Sequence, residues 1–163
     1  MTGWRALTDD EIVELTTGLR SLDWSWQLQD VPAIAARFGW QVLVTRPDWV
    51  MLDCGFGLSS GAVEGRDGVV ESIKLMVTDS ASEDAAGRAL VRDAFVSMAD
   101  TITGAFGEPT ARIPGDVAQI RWAFPETTLR LKNLAHTVQL TYQTNASLAA
   151  LDRSIEFERQ GLV

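Results

Sequence analysis

At 163 residues, with 46% hydrophobic and 22% charged side chains, the chain has the length and composition of one globular domain and not those of a disordered segment. Its net charge of -8 and pI of about 4.6 disfavour nucleic acid and anionic membrane surfaces as ligands, because both are bound mainly through Lys and Arg. The same charge favours a basic partner, or simply keeps the protein in solution.

Signals for export and membrane insertion are lacking in the sequence. Residues 1–5 do not combine a basic stretch with an apolar core, and no apolar run reaches the ~18–20 residues that span a bilayer. Cys54 is the only cysteine, so an internal disulfide is excluded. We therefore expect a cytoplasmic protein.

The N-terminal part predicts two helices. Thr8, followed three residues later by Glu11, forms a capping box. Apolar residues recur at helical spacing after it, at Ile12, Leu15, Leu19 and Leu22. Asp30 is predicted to cap a second, shorter helix, which has Pro32 in its first turn and Gly39 at its end.

A β region follows the second helix. Its extended runs are Gln41–Arg46, Trp49–Phe56, Ala62–Gly65 and Val69–Val77. The Asp67-Gly68 dipeptide is a strong hairpin signal, because both residue types accept positive φ. We predict a meander of three strands, whose second strand is bent or bulged at the glycines.

A long third helix is predicted after this meander. Ser80 and Glu83 have the spacing of a capping box, Gly107 ends the helix, and Pro109 prevents its continuation. Its apolar stripe consists of Leu90, Val91, Ala94, Phe95, Met98, Ile102 and Phe106. The length of this stripe predicts a helix that packs across the sheet.

Three alternating strands and a last helix complete the chain. The apolar positions of these strands are Ile120, Trp122 and Phe124, then Leu129 and Leu131, then Val138, Leu140 and Tyr142. Asn145 is predicted to cap a helix that uses Leu148, Leu151 and Ile155. The predicted fold is a single α+β domain over residues 1–163, of order ααβββαβββα. Its six-stranded antiparallel sheet is backed by helices on one face.

No stretch has a catalytic, metal or cofactor motif, and we predict none of these sites. The segment Gly55–Gly61 leads into a strand and not into a helix, which favours a bulged connection over a dinucleotide loop. His136 is the only histidine and lies in a turn. Cys54 falls on the apolar side of its strand, which favours a structural role.

Three features remain candidates for contact with a partner. Asp9, Asp10, Glu11 and Glu14 diverge around a helix, so capping and solvation account for them unless they form an acidic docking surface. The six tryptophans favour core packing, although Trp26 and Trp49 are harder to place. The outer sheet face is either solvated or a binding surface for a protein, and consists of Gln119, Arg121, Thr128, Arg130, Lys132, Gln139, Thr141 and Gln143.

Several stretches taken together resemble an uncharacterised family of small actinobacterial proteins. They are Leu22–Trp24, Asp30–Pro32, Phe38–Trp40, Asp53–Gly57, Ser60-Gly61, Phe106–Thr110, Ile120–Trp122 and Leu129–Leu131. Members of that family look like the immunity partners of polymorphic toxins delivered by specialised secretion. The resemblance implies an acidic, cytoplasmic, non-enzymatic α+β domain that occludes a toxin's active site. It supplies no binding residues that can be carried over to this chain.

The leading hypothesis is therefore an immunity protein for a cognate protein toxin, acting as a monomer or homodimer. Two candidate contact patches are Asp9, Asp10 and Glu14 on the first helix, and Arg121, Arg130 and Lys132 on the sheet face. The second hypothesis is a secretion chaperone or adaptor that binds an export segment. The third is a ligand-binding or enzymatic domain with a pocket lined by Trp26, Trp49 or Trp122.

Overall fold

The computed structural model describes residues 3–161, which contain four α-helices. These are α1 (Asp9–Arg20), α2 (Val31–Phe38), α3 (Ala85–Phe106) and α4 (Asn145–Arg159). Within that range no helix is long and apolar enough to cross a membrane. Met1 and Thr2 lie outside the described residues, as do the last two residues. The prediction about the export signal in residues 1–5 falls partly on them.

Eight strands form one sheet. They are β1 (Gln41–Arg46), β2 (Trp49–Asp53), β3 (Gly61–Arg66), β4 (Val69–Met76), β5 (Ala111–Ile113), β6 (Gln119–Ala123), β7 (Thr127–Asn133) and β8 (Val138–Thr144). Their order across the sheet is β1-β2-β3-β4-β8-β7-β6-β5, and all neighbours are antiparallel. The predicted α+β class and antiparallel sheet are confirmed, but the predicted number of six strands is wrong.

Two local features account for the extra strands. The stretch predicted as one bent strand is two strands, because the chain leaves the sheet between β2 and β3 and turns through Gly55, Gly57 and Ser59 at positive φ. The strand β5 has three residues and lies between Pro109 and Pro114. A strand this short shows no alternation that a sequence pattern can reveal.

The sheet consists of two similar halves. Strands β1–β4 and β5–β8 are each a four-stranded antiparallel meander, and each meander follows a helical segment. The halves join where β4 pairs with β8, from Ile73 opposite Tyr142 to Met76 opposite Gln139. The centre of the sheet is therefore built from strands that are distant in sequence.

One face of the sheet carries the apolar core. Helices α1 and α3 pack against each other, and Ile12, Leu19, Val91 and Ile102 from them are fully buried. Within the predicted stripe of α3, Leu90 is 45% exposed and lies outside the core. The apolar side chains of β6, β7 and β8 point into this core, as their alternation predicts.

Helix α4 lies on the opposite, polar face, so the prediction that all helices cover one face is wrong. The Oγ1 of Thr128 on β7 donates to Asn145 Oδ1 at 2.6 Å, and the Nε2 of Gln143 on β8 donates to Ser147 Oγ at 3.0 Å. Leu148 of α4 is buried on this face, apart from the main core. The polar face is therefore partly covered and not simply solvated.

Several turn and capping signals are confirmed. The capping box of α1 is present, with Thr8 N donating to Glu11 Oε1 at 2.9 Å and Glu11 N donating to Thr8 Oγ1 at 3.2 Å. Gly39 ends α2 with a φ of 75°. The Asp67-Gly68 turn has φ values of 53° and 82°, as a two-residue hairpin requires.

Two predicted caps are wrong, and a third is confirmed only in position. Asp84, and not Ser80, caps α3 by accepting a bond from Gly87 N at 2.8 Å. Thr144 caps α4, because Asn145 is already the first helical residue and is bonded to Thr128. Asp30 holds the N-cap position of α2, but its carboxylate accepts from the Ser25 hydroxyl and makes no capping bond.

Candidate binding groove

A groove lies between α4 and the polar face of the sheet and encloses a cavity of about 590 Å³. Six charged residues line it: Glu64, Arg66, Glu71, Lys74, Arg130 and Lys132. The only two lysines of the chain, Lys74 and Lys132, both lie here. With four cations and two carboxylates, the lining carries excess positive charge in a protein of net charge -8.

The strand register places three cations in one row across the sheet. Arg121 on β6 lies opposite Arg130 on β7, and Arg130 lies opposite Thr141 on β8. Thr141 in turn lies opposite Lys74 on β4. Like charges directly opposite each other destabilise a sheet, so the neighbours of each cation decide how far its charge is compensated.

The two ends of this row are compensated by carboxylates. Arg121 donates from Nη1 and Nη2 to the two carboxylate oxygens of Asp152 on α4, at 2.9 and 3.0 Å. This ion pair holds the pKa of Asp152 below its ordinary range, first through the hydrogen bonds and then through the charge of Arg121. Lys74 pairs with Glu64 at 2.5 Å on a more exposed part of the groove.

Arg130, inside the row, is only 3% exposed and forms no ion pair with a carboxylate among residues 3–161. Its Nε donates to Gln119 Oε1 at 3.2 Å and its Nη1 donates to Gln143 Oε1 at 2.8 Å. Burial, and to a smaller extent the nearby charge of Arg121, lower the pKa of Arg130 to about 10, while the charge of Asp152 acts in the opposite direction. The guanidinium is still charged at neutral pH, so the structure holds a buried cation whose partners in hydrogen bonds are neutral amides.

Lys132 is a second cation without a carboxylate within 4.0 Å among residues 3–161. It is half-buried, two residues along β7 from Arg130 and on the same side of the sheet. Burial lowers its pKa to about 8, and Arg130, Lys74 and Arg121 add repulsion. The ammonium group is therefore less stable here than in water.

Apolar side chains line the same groove. Val117, Leu151 and Ile155 all face it and are 48, 39 and 40% exposed. The last two belong to the apolar set that predicts α4, but about two fifths of the surface of each remains exposed. The groove therefore combines two unpaired cations with an exposed apolar wall, a combination that is typical of binding surfaces.

The fold separates the two patches predicted from sequence. Arg121, Arg130 and Lys132 come together on the polar face, although only the last two line the cavity. Asp9, Asp10 and Glu14 lie on α1, which packs on the apolar face. Asp9 accepts a bond from Thr101 on α3, and Glu14 lines a separate cavity of about 380 Å³.

Three residues that shape the groove are not indicated by the sequence. Lys74 and Glu64 line it from β4 and β3, and Asp152 on α4 binds Arg121 beside it. Gln143, which belongs to the predicted outer face, lines the groove and accepts from Arg130. The only signal available was that both lysines occupy polar positions of strands, since the pairing of β4 with β8 is not visible in sequence.

The other candidate residues occupy separate positions. Cys54 Sγ donates to Ser60 O and Met76 O, and burial raises the pKa of its thiol. His136 is exposed in a turn. In the part of the chain that is described, no cluster of three or more His, Cys, Asp or Glu side chains has an arrangement that holds a metal ion.

The three tryptophans of the pocket hypothesis lie in different parts of the fold. Trp26 is next to Trp24 and Tyr142 at a cavity of about 400 Å³. Trp122 is buried and donates to Gly107 O at 3.2 Å, and Trp49 lies opposite Arg46 in the first hairpin. The pocket hypothesis requires only one of these three tryptophans, and Trp26 does line a cavity.

Comparison with known protein families identifies the family of this chain. A family described as a family of unknown function, DUF6301, matches residues 10–144. The chain belongs to the DUF6301 family. The match spans nearly all of α1 and every strand and stops at the last residue of β8, so α4 lies beyond it. Neither the curated proteins nor the solved structures include a match to this chain.

Proposed function

We propose that this protein is a non-enzymatic, cytoplasmic binding protein that recognises another protein through the groove. In its specific form, the proposal is an immunity protein that occludes the active site of a cognate secreted toxin. The observation that carries the proposal is Arg130, a nearly buried cation with neutral hydrogen-bond partners in a groove that also exposes apolar side chains.

The energetics of Arg130 support a binding role. A buried charge without a counter-charge costs free energy. The core gains nothing from this charge, because the apolar side of the sheet is packed by α1 and α3 without it. Residues that are unfavourable for the isolated protein are often the ones that contact a partner, where a counter-charge offsets the cost.

The charge distribution supports the same proposal. Excess positive charge lies in the groove on the polar face, whereas Asp9, Asp10 and Glu14 lie on α1, which packs on the apolar face. Two oppositely charged surfaces orient an approaching protein, because they repel each wrong orientation. A partner that inserts an acidic, partly apolar segment into the groove matches its lining.

The test is co-expression with the product of an adjacent gene that encodes a secreted protein, followed by calorimetry and an assay of that product's toxicity. The groove variant is Arg130→Gln, and the α1 variant is Asp10→Lys with Glu14→Lys. Arg112→Gln, an exposed cation on β5 outside the groove, is the matched control for loss of charge.

We expect a one-to-one complex in which the partner is inactive, and weaker binding for the groove variant than for Arg112→Gln. Absence of a complex with the adjacent gene product would overturn the immunity proposal. A complex in which the partner stays active, formed through an export segment, would support the secretion chaperone instead. The groove favours that second candidate to a lesser degree, because a helix-flanked channel also accommodates an extended segment.

A further inference from the structure

We propose that Arg130 and Lys132 form an oxyanion-binding site at the base of the groove, which accepts a carboxylate or phosphate group of a ligand. This inference goes beyond recognition of a protein partner, because it assigns the chemical group bound and the two residues that bind it. It does not depend on whether that group belongs to a free molecule or to an acidic side chain of a partner.

The hydrogen-bond inventory of Arg130 supports the site. Of the donors on its guanidinium, Nε and Nη1 are used by the side-chain carbonyls of Gln119 and Gln143. The Nη2 group makes no hydrogen bond to any residue in the range 3–161, and Arg130 lines the cavity. The two glutamines hold the guanidinium in place, since Gln119 also accepts from Arg121 at 3.0 Å and Gln143 also donates to Ser147.

Lys132 supplies a second cation at a suitable spacing. Alternate residues of a strand point to the same face and are separated by roughly 6–7 Å, so an anion of a few atoms fits between the ends of two long side chains. Thr141, next to Arg130 in the row, is fully buried, and its hydroxyl has no hydrogen-bond partner within the described chain. Thr141 does not line the cavity, so the donors available to an anion are those of Arg130 and Lys132.

The charged groups around the site leave it positive. Glu64 is paired with Lys74, and Asp152 is paired with Arg121. Glu71 and Arg66 also line the groove, and neither forms an ion pair among residues 3–161. Pairing these charges off leaves Arg130 and Lys132 as an excess of two positive charges, which a carboxylate halves and a doubly charged phosphate offsets.

The apolar wall indicates what the ligand carries next to its anionic group. Val117, Leu151 and Ile155 line the same cavity as Arg130 and Lys132. A carboxylate attached to an aliphatic chain satisfies both parts of this lining, whereas inorganic phosphate satisfies only the cationic part. Comparing an aliphatic carboxylate with inorganic phosphate therefore separates the contribution of the two cations from that of the apolar wall.

The experiment uses the isolated full-length protein and the NMR signals of its two lysine side chains. Lys132 is titrated in chloride, inorganic phosphate, acetate and hexanoate at matched ionic strength, with the titration in chloride as the reference, and Lys74 is followed in the same spectra. We expect phosphate and hexanoate to raise the pKa of Lys132 from about 8 by about one pH unit, because a bound anion stabilises the ammonium form. Hexanoate is expected to act at lower concentration than acetate.

Arg130→Gln tests whether Arg130 contributes to binding of the anion. We expect it to weaken the effect of phosphate on Lys132 about tenfold, because one charge-assisted contact is lost, whereas Arg112→Gln leaves the effect unchanged. If Arg130→Gln does not fold, Lys132→Gln is compared with Arg112→Gln by calorimetry with phosphate. The proposal is overturned if Lys132 titrates alike in all four salts, or if Arg112→Gln weakens the effect as much as Arg130→Gln. Because the partner is absent here, this result is independent of the test of the immunity function.

Discussion

Arg121 and Arg130 lie directly opposite each other on β6 and β7, yet only the Arg121 guanidinium is paired with a carboxylate. That carboxylate, Asp152, comes from α4, so the ion pair also attaches the helix to the polar face. Removing the Asp152 charge therefore leaves two adjacent, uncompensated arginines and loosens the contact of α4 with the sheet.

We expect Asp152→Asn to lower the free energy of unfolding by about 1 kcal/mol at neutral pH, a value that allows for the partial exposure of the pair. Because the pKa of Asp152 is lowered in the folded state from 3.8, its contribution is present above pH 3.8 and is lost as the pH falls through the folded pKa. Urea unfolding at pH 7 measures the loss of stability in Asp152→Asn, and unfolding near pH 3 measures how much of this loss depends on pH. Asp93→Asn removes the partner of an exposed pair and is the control; equal effects of the two substitutions would contradict the prediction.

Lys132 makes stability depend on pH in the opposite direction. Its folded pKa of about 8 lies below the ordinary 10.5, so between these values the unfolded chain binds more protons and stability rises with pH. We expect wild type to gain about 1 kcal/mol relative to Lys132→Met as the pH rises from 7 to 9, after allowance for solvent screening. The quantity to measure is the difference in the free energy of unfolding between wild type and Lys132→Met, obtained from urea unfolding at pH 7 and pH 9.

The comparison is confined to this range because Cys54 and Tyr142 have raised pKa values and lower the stability at higher pH. A profile for Lys132→Met that runs parallel to wild type would show that Lys132 is not destabilised by its surroundings. Arg112→Met, which removes an exposed cation, is expected to run parallel to wild type.

Two glycines of α3 are expected to respond oppositely to alanine. A Cβ on Gly87 would lie 1.9 Å from the Ser82 carbonyl oxygen, so Gly87→Ala displaces the backbone that leads into the Asp84 cap. We expect a loss of about 2 kcal/mol or more. A Cβ on Gly104 meets nothing within 4 Å, so Gly104→Ala gains about 0.5–1 kcal/mol from helix propensity. Thermal unfolding of both variants measures this, and a stabilising Gly87→Ala would refute the close approach.

Cys54 is expected to be unreactive in the folded protein. Burial raises the pKa of its thiol, and the Sγ contacts two backbone carbonyl oxygens. At pH 8 we expect a thiol-specific disulfide reagent to react about a hundredfold more slowly than with the protein in denaturant. Rapid reaction of the native protein would instead place Cys54 in an open, electropositive setting, and Cys54→Ser gives the background rate.

The sequence predicts local elements better than it predicts their assembly. The Thr8–Glu11 box, the Asp67-Gly68 turn and the strands β1, β7 and β8 follow from short-range patterns, because capping and alternation are properties of neighbouring residues. The face that α4 covers does not follow from such patterns. Leu148, Leu151 and Ile155 predict a helix with an apolar side, but only Leu148 is buried against the sheet.

The candidate groove was predictable in part for the same reason. Alternation along β6 and β7 places Arg121, Arg130 and Lys132 on one face. Lys74 joins this row only because β4 pairs with β8. Asp152 reaches Arg121 only because α4 lies on the polar face. Neither relationship is a local property of the sequence, so the unpaired state of Arg130 became visible only in the structure.

The outermost strands limit how copies of this protein can associate. Strand β5 has three residues between two prolines, and β1 is irregular between Val42 and Val44 and ends at Arg46. Both ends of the sheet thus offer only a short or distorted row of backbone groups to another chain. Growth of the sheet from one molecule to the next, which is the first step of fibril formation, is disfavoured at both ends.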